Sequence, residues 1–219
     1  MSASPVKAPS LVRSCMRDRI RDVLVTRILD GHYPAGTQLK ELTLAREFNV
    51  SQAPIREALR ELEGSGLVTS ERYRGTRVRG TDLKEMRESY ELRATLEIRA
   101  LELAIPCAPE EIDSLDTFVG GMAKAAGSKD AELYIDNALG FHRSLIEASG
   151  NRIFLTVWDS LHFEVRGRIA LRRVVEHKGS LTPFVEAHAE VVRKIRARDV
   201  TGATALLRTI FEDVAAAFG

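Results

Sequence analysis

Apolar residues recur at helical spacing through the first fifty positions of the chain. From position 16 to 29, charged residues separate four apolar positions, Ile20, Val23, Leu24 and Ile28. A second segment, from 40 to 48, offers four apolar residues to a core, Leu42, Leu44, Ala45 and Phe48. This periodicity predicts two amphipathic helices, and the glycine and proline residues between them predict a turn.

A third helix and a hairpin follow directly. Asn49 tolerates a left-handed backbone and can supply a tight turn, and Ser51 suits the N-cap of the next helix. The buried stripe of that helix is predicted to be Ile55, Ala58, Leu59 and Leu62. Segments 67–69 and 76–78 then alternate like strands around a tip at 72–75. Three helices and a basic hairpin in this order predict a winged helix-turn-helix.

After Gly80, the spacing of apolar residues is helical throughout the rest of the sequence. Helices are predicted over 82–105, 109–126, 129–148, 152–177, 183–198 and 200–218. The connections between them are short, so consecutive helices should pack antiparallel into a bundle. The predicted fold class is therefore mainly α, with a winged helix-turn-helix domain over 14–80 and an all-α antiparallel bundle over 81–219.

The charge of the chain is unevenly distributed. The net charge is only +1, but residues 1–80 hold 14 Lys and Arg against 9 Asp and Glu, whereas residues 81–219 hold 18 against 22. A basic surface confined to the first domain is typical of a DNA-binding footprint. The 44% hydrophobic content excludes a disordered chain.

Cysteine usage and hydropathy indicate a cytoplasmic protein. Cys15 and Cys107 lie far apart and lack the spacing of a disulfide framework or a zinc finger. No segment approaches the roughly 18 apolar residues of a membrane helix. The first residues contain no apolar signal-peptide core. We therefore expect a soluble protein in a reducing cytoplasm, without a membrane partner.

The third helix carries the side chains expected to read double-stranded DNA. In a helix-turn-helix the N-terminal part of this helix faces base edges in the major groove. Gln52 and Arg56 suit adenine and guanine edges, and Ala53 lies beside them. Ser51 and Thr76 are expected at phosphates, and three arginines of the hairpin are expected at the DNA backbone or a minor groove: Arg72, Arg74 and Arg77. The alternative is that these arginines only solvate a helix and a hairpin.

These segments closely resemble the GntR family of bacterial transcription regulators. The resemblance rests on residues 28–39, 44–51 and 54–63, on Gly66-Leu67-Val68 and on 74–78. It implies a winged DNA-binding domain. The family usually has Arg-Thr where this chain has Gln52-Ala53, so the operator is expected to differ from the family's common half-site.

The second domain resembles the ligand-binding FCD domain of the FadR subfamily. The resemblance rests on residues 91–97, 141–145 with 148–151, 186–188 and 195–199. It implies that a small molecule binds there. A count of six helices instead of seven is similar to the shorter, VanR-like branch.

The same resemblance implies a divalent metal held by one Asp and three His, and this chain has only part of that set. Ala138 stands at the Asp position and Ile210 at the last His position, which leaves His142 and His188. Two imidazoles cannot complete a four-coordinate zinc site by themselves. Asp136 cannot easily replace the missing Asp, because it points to a different face of its helix.

Two interpretations of the histidine pair, His142 and His188, remain open. In the first, a divalent metal such as zinc recruits further ligands to His142 and His188. In the second, which we favour, the site is metal-free and both histidines hydrogen-bond an effector, with Arg93 or His162. An arginine in an apolar pocket suits a small carboxylate. As structural alternatives, His142 is a core histidine and Arg93 pairs with Glu97 on the helix surface.

The sequence therefore predicts a homodimeric transcription regulator, most simply a repressor, that binds a pseudo-palindromic operator and responds to a small organic acid. We expect Trp158, Phe154 and Phe163 in the bundle core. Two other classes remain open. One is a metal-dependent enzyme of small acids, although no catalytic residue or nucleophile arrangement is recognised. The other is a DNA-binding protein without an effector.

Overall fold

The computed structural model describes residues 11–29, 31–71, 74–79, 82–177 and 179–218. They form two compact units, and the second begins at Asp82. The first contains α1 (Leu11–Leu29), β1 (Gln38–Leu39), α2 (Glu41–Glu47), α3 (Gln52–Gly64), β2 (Val68–Glu71) and β3 (Gly75–Val78). This is the winged helix-turn-helix that the sequence predicts.

Helix α3 is the centre of the first unit. Both α1 and α2 pack against it, and its buried residues are those predicted, Ile55, Ala58, Leu59 and Leu62. Leu42, which the sequence offered to the core, is exposed, and so is Val23 of the first periodic segment. Each lies away from the centre of its helix's apolar face, given the 3.6-residue turn. Val25 and Leu39 are buried in this core instead.

The wing is a three-stranded antiparallel sheet with β3 in the middle. Strand β2 pairs with β3 as predicted, with Ser70 opposite Thr76. Strand β1, which pairs Gln38 with Arg77, was not predicted. A strand of two residues has no periodic pattern by which a sequence could reveal it. The added strand joins the wing to the loop that precedes α2.

The turn between α2 and α3 has the predicted geometry. Asn49 adopts the left-handed conformation, with a φ of 52°. Ser51 occupies the N-cap of α3 in an extended conformation, but its hydroxyl makes no capping hydrogen bond. The turn therefore presents the N-terminus of α3 with the Ser51 side chain exposed.

The second unit is entirely helical in the residues that the structure describes. Its helices are α4 (Leu83–Ala104), α5 (Pro109–Ser128), α6 (Ala131–Ala148), α7 (Arg152–Ser160), α8 (Phe163–His177), α9 (Thr182–Arg196) and α10 (Val200–Ala215), followed by a 3₁₀ turn at Ala216–Phe218. Helix α5 packs on α6 and α9, whereas α4 packs on α6 and α10. The bundle core includes Trp158 and Phe163, with Phe154 packed against them, as predicted.

The single helix predicted over 152–177 is wrong. The helix is broken at Leu161 and His162. His162 has a φ of 52°, so α7 and α8 are separate helices. Neither glycine nor proline marks the break, although histidine is among the residues that tolerate this conformation. Trp158 and Phe163 make an edge contact across the break, with ring centroids 5.7 Å apart. The unit thus has seven α-helices among its described residues, and helix count gives no support to the six-helix branch.

Helix α4 begins at a defined cap. The Asp82 carboxylate accepts hydrogen bonds from the backbone N–H groups of Lys84 and Glu85.

Within the ranges given above, no helix is long and apolar enough to cross a membrane.

Candidate functional site

The N-terminal turn of α3 presents the predicted base-reading residues together. Ser51, Gln52, Ala53 and Arg56 are all exposed, whereas Ile55 is buried in the core. The unpaired backbone N–H groups of a helix N-terminus also favour a phosphate. This turn can therefore present two long polar side chains and a positive helix end to a DNA groove.

Arg56 is held in place by Glu41 at the start of α2. Arg56 Nη2 donates to Glu41 Oε2 at 2.8 Å, and Arg56 Nε lies 3.1 Å from Glu41 Oε1. The hydrogen bonds from Arg56 lower the pKa of the Glu41 carboxyl. This bidentate contact restricts the directions in which the Arg56 guanidinium can point. Glu41 could not be found from the sequence, because its partner lies on another helix and no local spacing connects them.

The wing supplies cationic residues with partners of their own. Arg74 is highly exposed and pairs with Glu71 at 3.1 Å. Arg77 Nη1 donates to the Gly36 carbonyl at 3.0 Å. Thr76 Oγ1 lies 3.1 Å from Ser70 Oγ, so one of these hydroxyls donates a hydrogen bond to the other. Arg72, which we also predicted to contact DNA, lies outside the described residues.

Contacts from α3 fix it to the rest of the unit. Arg17 and Arg21 of α1 reach the Glu61 carboxylate at 2.9 and 3.2 Å. Glu63 accepts a hydrogen bond from the Ser70 backbone N–H at 2.8 Å, which ties the helix to the wing. These contacts join α3 to both α1 and the wing.

In the second unit, three of the four predicted effector residues belong to one buried hydrogen-bond network. Arg93 Nε donates to Glu97 Oε1 at 2.7 Å, and Glu97 Oε2 accepts from His142 Nδ1 at 2.5 Å. His142 Nε2 lies 3.5 Å from His188 Nε2. We call Arg93, Glu97, His142 and His188 the buried network. His162 lies in the break between α7 and α8 and is not part of this chain of contacts.

The ring protons of the two histidines follow from their partners. His188 Nδ1 donates to the Phe184 carbonyl at 2.6 Å, and His142 Nδ1 donates to Glu97. Burial lowers the pKa of His142 and lowers the pKa of His188 to about 3. Both rings are therefore neutral near pH 7, so their facing Nε2 atoms carry lone pairs.

Aromatic rings enclose Arg93. Its guanidinium carbon lies 4.8 Å from the Trp158 ring centroid and 5.4 Å from those of Tyr90 and Phe211. Burial raises the pKa of Tyr90 to about 12. The sequence left open an Arg93–Glu97 pair on the helix surface. The pair exists, but it is buried and not on the surface. Glu97 was not predicted as the centre of the network, since four-residue spacing cannot tell a buried pair from an exposed one.

The residues present do not fit the four-ligand metal site of the resemblance. Ala138 and Ile210 are buried and apolar, so only His142 and His188 offer nitrogen ligands. The Glu97 carboxylate is engaged by Arg93 and His142. Among the described residues, no group of three or more His, Cys, Asp or Glu side chains could hold a metal ion.

Among its described residues, the helical unit has at least two cavities. One, of about 320 Å³, lies between α4 and α10, where Tyr90 and Phe211 form its wall. The other, of about 270 Å³, lies between α6, α7 and α8 and is lined by Trp158. Arg93, His142 and His188 line neither, but aromatic rings that contact Arg93 line both.

Comparison with known proteins decides the family. The model for "Bacterial regulatory proteins, gntR family" matches residues 16–78, and the FCD domain model matches residues 88–213, more than half of the chain. The chain belongs to the GntR family. Its FCD domain fits the FadR subfamily, so this regulator is a DNA-binding transcription factor with a domain that binds a small-molecule effector.

Two curated relatives are transcriptional repressors. The regulator is 30% identical to a protein of Paenarthrobacter nicotinovorans named "Probable D-xylose utilization operon transcriptional repressor", over 86% of this chain and 82% of the relative. It is 28% identical to the gluconate operon transcriptional repressor of Bacillus subtilis, over 90% of this chain and 82% of the relative.

Solved structures share the fold. The Escherichia coli protein McbR/YncC superposes with a TM-score of 0.77 at 21% identity, covering 93% of this chain and 96% of that one. A GntR regulator from a Rhodococcus species gives a TM-score of 0.73 at 20% identity, covering 93% and 97%.

Proposed function

We propose that this regulator is a homodimeric repressor that binds a pseudo-palindromic operator and leaves it when a small effector binds the helical unit. Twofold symmetry of the protein would match twofold symmetry of the operator and would set the half-site spacing. Contact with chromosomal DNA implies that it works in the cytoplasm.

The observation that carries the DNA-binding part of this proposal is the exposed Arg56 near the start of α3, which pairs with Glu41 of α2. The exposed Arg56 guanidinium can reach the O6 and N7 atoms of guanine, and Gln52 can reach an adenine edge on the same face. Because Ala53 has no polar group, it can contact only an apolar feature such as a thymine methyl. The operator should therefore contain fewer guanine contacts per half-site than the family's common one.

The effector is proposed to be a small hydroxylated metabolite or organic acid. The relatives named for D-xylose and gluconate operons support this class. The buried network is proposed as the element that responds to the effector, through Arg93, His142 and His188. An effector can shift the regulator only if it binds the DNA-bound and released conformations with different affinity.

Footprinting on the DNA upstream of the chain's own gene tests the DNA-binding part of this proposal. We expect protection of an inverted repeat whose half-sites lie about one or two helical turns apart. Arg56→Ala should abolish the footprint. Arg19→Ala, which removes an exposed arginine of α1 from the same unit, should leave it intact.

Equal loss in both variants would mean that Arg56 acts only through net charge. Protection of a single, non-repeated site would contradict a symmetric dimer on DNA.

A further inference from the structure

The cavity between α6, α7 and α8 has a mixed lining that the DNA-binding function does not explain. Leu139 and Trp158 supply apolar surface, and four charged side chains surround it: Asp136, Arg143, Glu164 and Arg168. Its volume of about 270 Å³ lies just below the usual range for small-molecule pockets. The cavity therefore suits a compact ligand.

Trp158 lines this cavity and carries a buried hydrogen-bond donor that is unused. Its side chain is only 1% exposed, yet its indole Nε1 has no hydrogen-bond acceptor among the described residues. A buried indole N–H normally finds a partner. A ligand oxygen in the cavity would supply one. Arg93 Nη2 is a second buried donor without an acceptor in the described chain, and its guanidinium stacks on the Trp158 ring.

The charges at the cavity are already balanced, and this limits the ligand. Arg143 pairs with Asp159 at 2.8 Å, and Arg168 pairs with Glu132 at 3.0 Å and with Asp136. A ligand with charge alone would meet both signs in the lining. Hydroxyl groups both donate and accept hydrogen bonds, so they can satisfy carboxylate and guanidinium partners together.

From these features we infer that the α6–α7–α8 cavity is the effector site and that it takes a small polyhydroxylated ligand, a monosaccharide or sugar acid. One ligand oxygen accepts a hydrogen bond from Trp158 Nε1, and the C–H face of the ligand packs against the apolar wall. This inference rests on the proposed effector-responsive function and specifies its site and ligand class.

The same geometry connects the cavity to the buried network. Trp158 stacks on Arg93, Arg93 binds Glu97, and Glu97 binds His142. Helix α8 is packed closely here, because a Cβ atom on Gly167 would lie 2.6 Å from Arg93 Nη1 and 2.6 Å from Leu139 Cδ2. A ligand that moves Trp158 or α8 must therefore move Arg93.

Trp158 is the only tryptophan of the chain, so its fluorescence reports this cavity directly. The full-length protein is titrated with D-gluconate, D-xylose, D-glucose and D-glycerate. Hexanoate serves as an anionic probe without hydroxyl groups. At least one hydroxylated probe should change the emission saturably, and hexanoate should not.

Two arginines of α8 test where the ligand binds, because one lines the cavity and the other does not. Arg168 and Arg172 both pair with Glu132, at 3.0 and 2.8 Å, but only Arg168 lines the cavity. By calorimetry, Arg168→Met should weaken binding of the active probe about tenfold, the effect of one lost hydrogen bond to a charged group. Arg172→Met should change it less than twofold. Trp158→Phe, which keeps a ring but removes the N–H, should also weaken it.

The inference is overturned if no hydroxylated probe binds up to its solubility limit, if hexanoate binds equally well, or if the two arginine variants behave alike. Operator binding is measured on the same samples. Retained operator binding without a probe response refutes this site and ligand class, whereas loss of operator binding by the wild type refutes the proposed function itself.

Discussion

At the scale of single residues, the side chains expected to recognise other molecules are held by partners on other elements. Glu41 directs Arg56 in the DNA-binding unit, and Glu97 joins Arg93 to His142 in the helical unit. The polar residues proposed for both sites were named from their types and spacing, and their roles stay predictions. Neither carboxylate could be assigned its role, because a contact between helices depends on packing that no local pattern encodes.

Glu41 should contribute to DNA specificity. Glu41→Gln removes a negative charge and frees the Arg56 guanidinium, so affinity for random DNA should rise. The ratio of operator affinity to random-DNA affinity should fall by roughly threefold to tenfold, part of the value of one bidentate base contact. Fluorescence anisotropy with operator and scrambled duplexes measures this ratio.

Glu71→Gln is the matched control, since Glu71 also pairs with an exposed arginine, Arg74, on the wing. It should raise affinity for both duplexes and keep their ratio. An equal fall in the ratio for both variants would show that net charge, and not the direction of Arg56, sets specificity.

The buried Arg93–Glu97 pair should be strongly coupled. Glu97→Gln leaves the Arg93 charge buried without its counterion, which should lower the free energy of unfolding by about 3–5 kcal/mol. The double variant Arg93→Met with Glu97→Gln should recover part of that loss, because no unpaired charge remains. Urea unfolding followed by circular dichroism measures both. Additive losses in the double variant would argue against coupling.

At the scale of elements, the sequence predicted most helices and both hairpin strands, because they have regular apolar periodicity and recognisable ends. It missed β1, which is too short for a pattern, and the break between α7 and α8, which no glycine or proline marks. His162 has the left-handed backbone there, and apolar spacing continues on both sides of it. The break matters because α7 and α8 together line the cavity at Trp158.

The break should depend on the left-handed conformation of His162. His162→Val places a β-branched residue at positive φ, which should cost about 1–2 kcal/mol. His162→Asn, which tolerates this backbone, should cost much less. Thermal unfolding of the two variants compares them. Equal stability would show that the backbone at this position imposes no restriction on residue type.

At the scale of the whole molecule, two compact units divide the work between DNA recognition and effector binding. The family match covers both units, so the domain roles follow from the sequence. The chemistry at the centre of the helical unit does not follow from the family match, since Ala138 and Ile210 replace two of the four expected metal ligands. There only the Nε2 atoms of His142 and His188 offer nitrogen lone pairs, and two imidazoles cannot complete a four-coordinate zinc site.

Metal removal should therefore leave the regulator unchanged. Dialysis against a chelator should alter neither the unfolding temperature nor operator affinity, and zinc should bind at well below one equivalent. Installing the missing ligands, Ala138→Asp with Ile210→His, should create zinc binding and a zinc-dependent rise in unfolding temperature. Stoichiometric zinc in the wild type, lost in His142→Gln, would contradict this expectation.

The most direct test of the central claim is selection of genomic DNA fragments by the purified regulator, sequenced after several rounds at moderate salt. Because the operator need not lie beside the gene, this measurement does not depend on guessing its position. We predict enrichment of a few fragments that share one inverted repeat, and loss of that enrichment with Arg56→Ala. Recovery of random fragments by the wild type, or no recovery at any salt concentration, would contradict the account of a sequence-specific regulator.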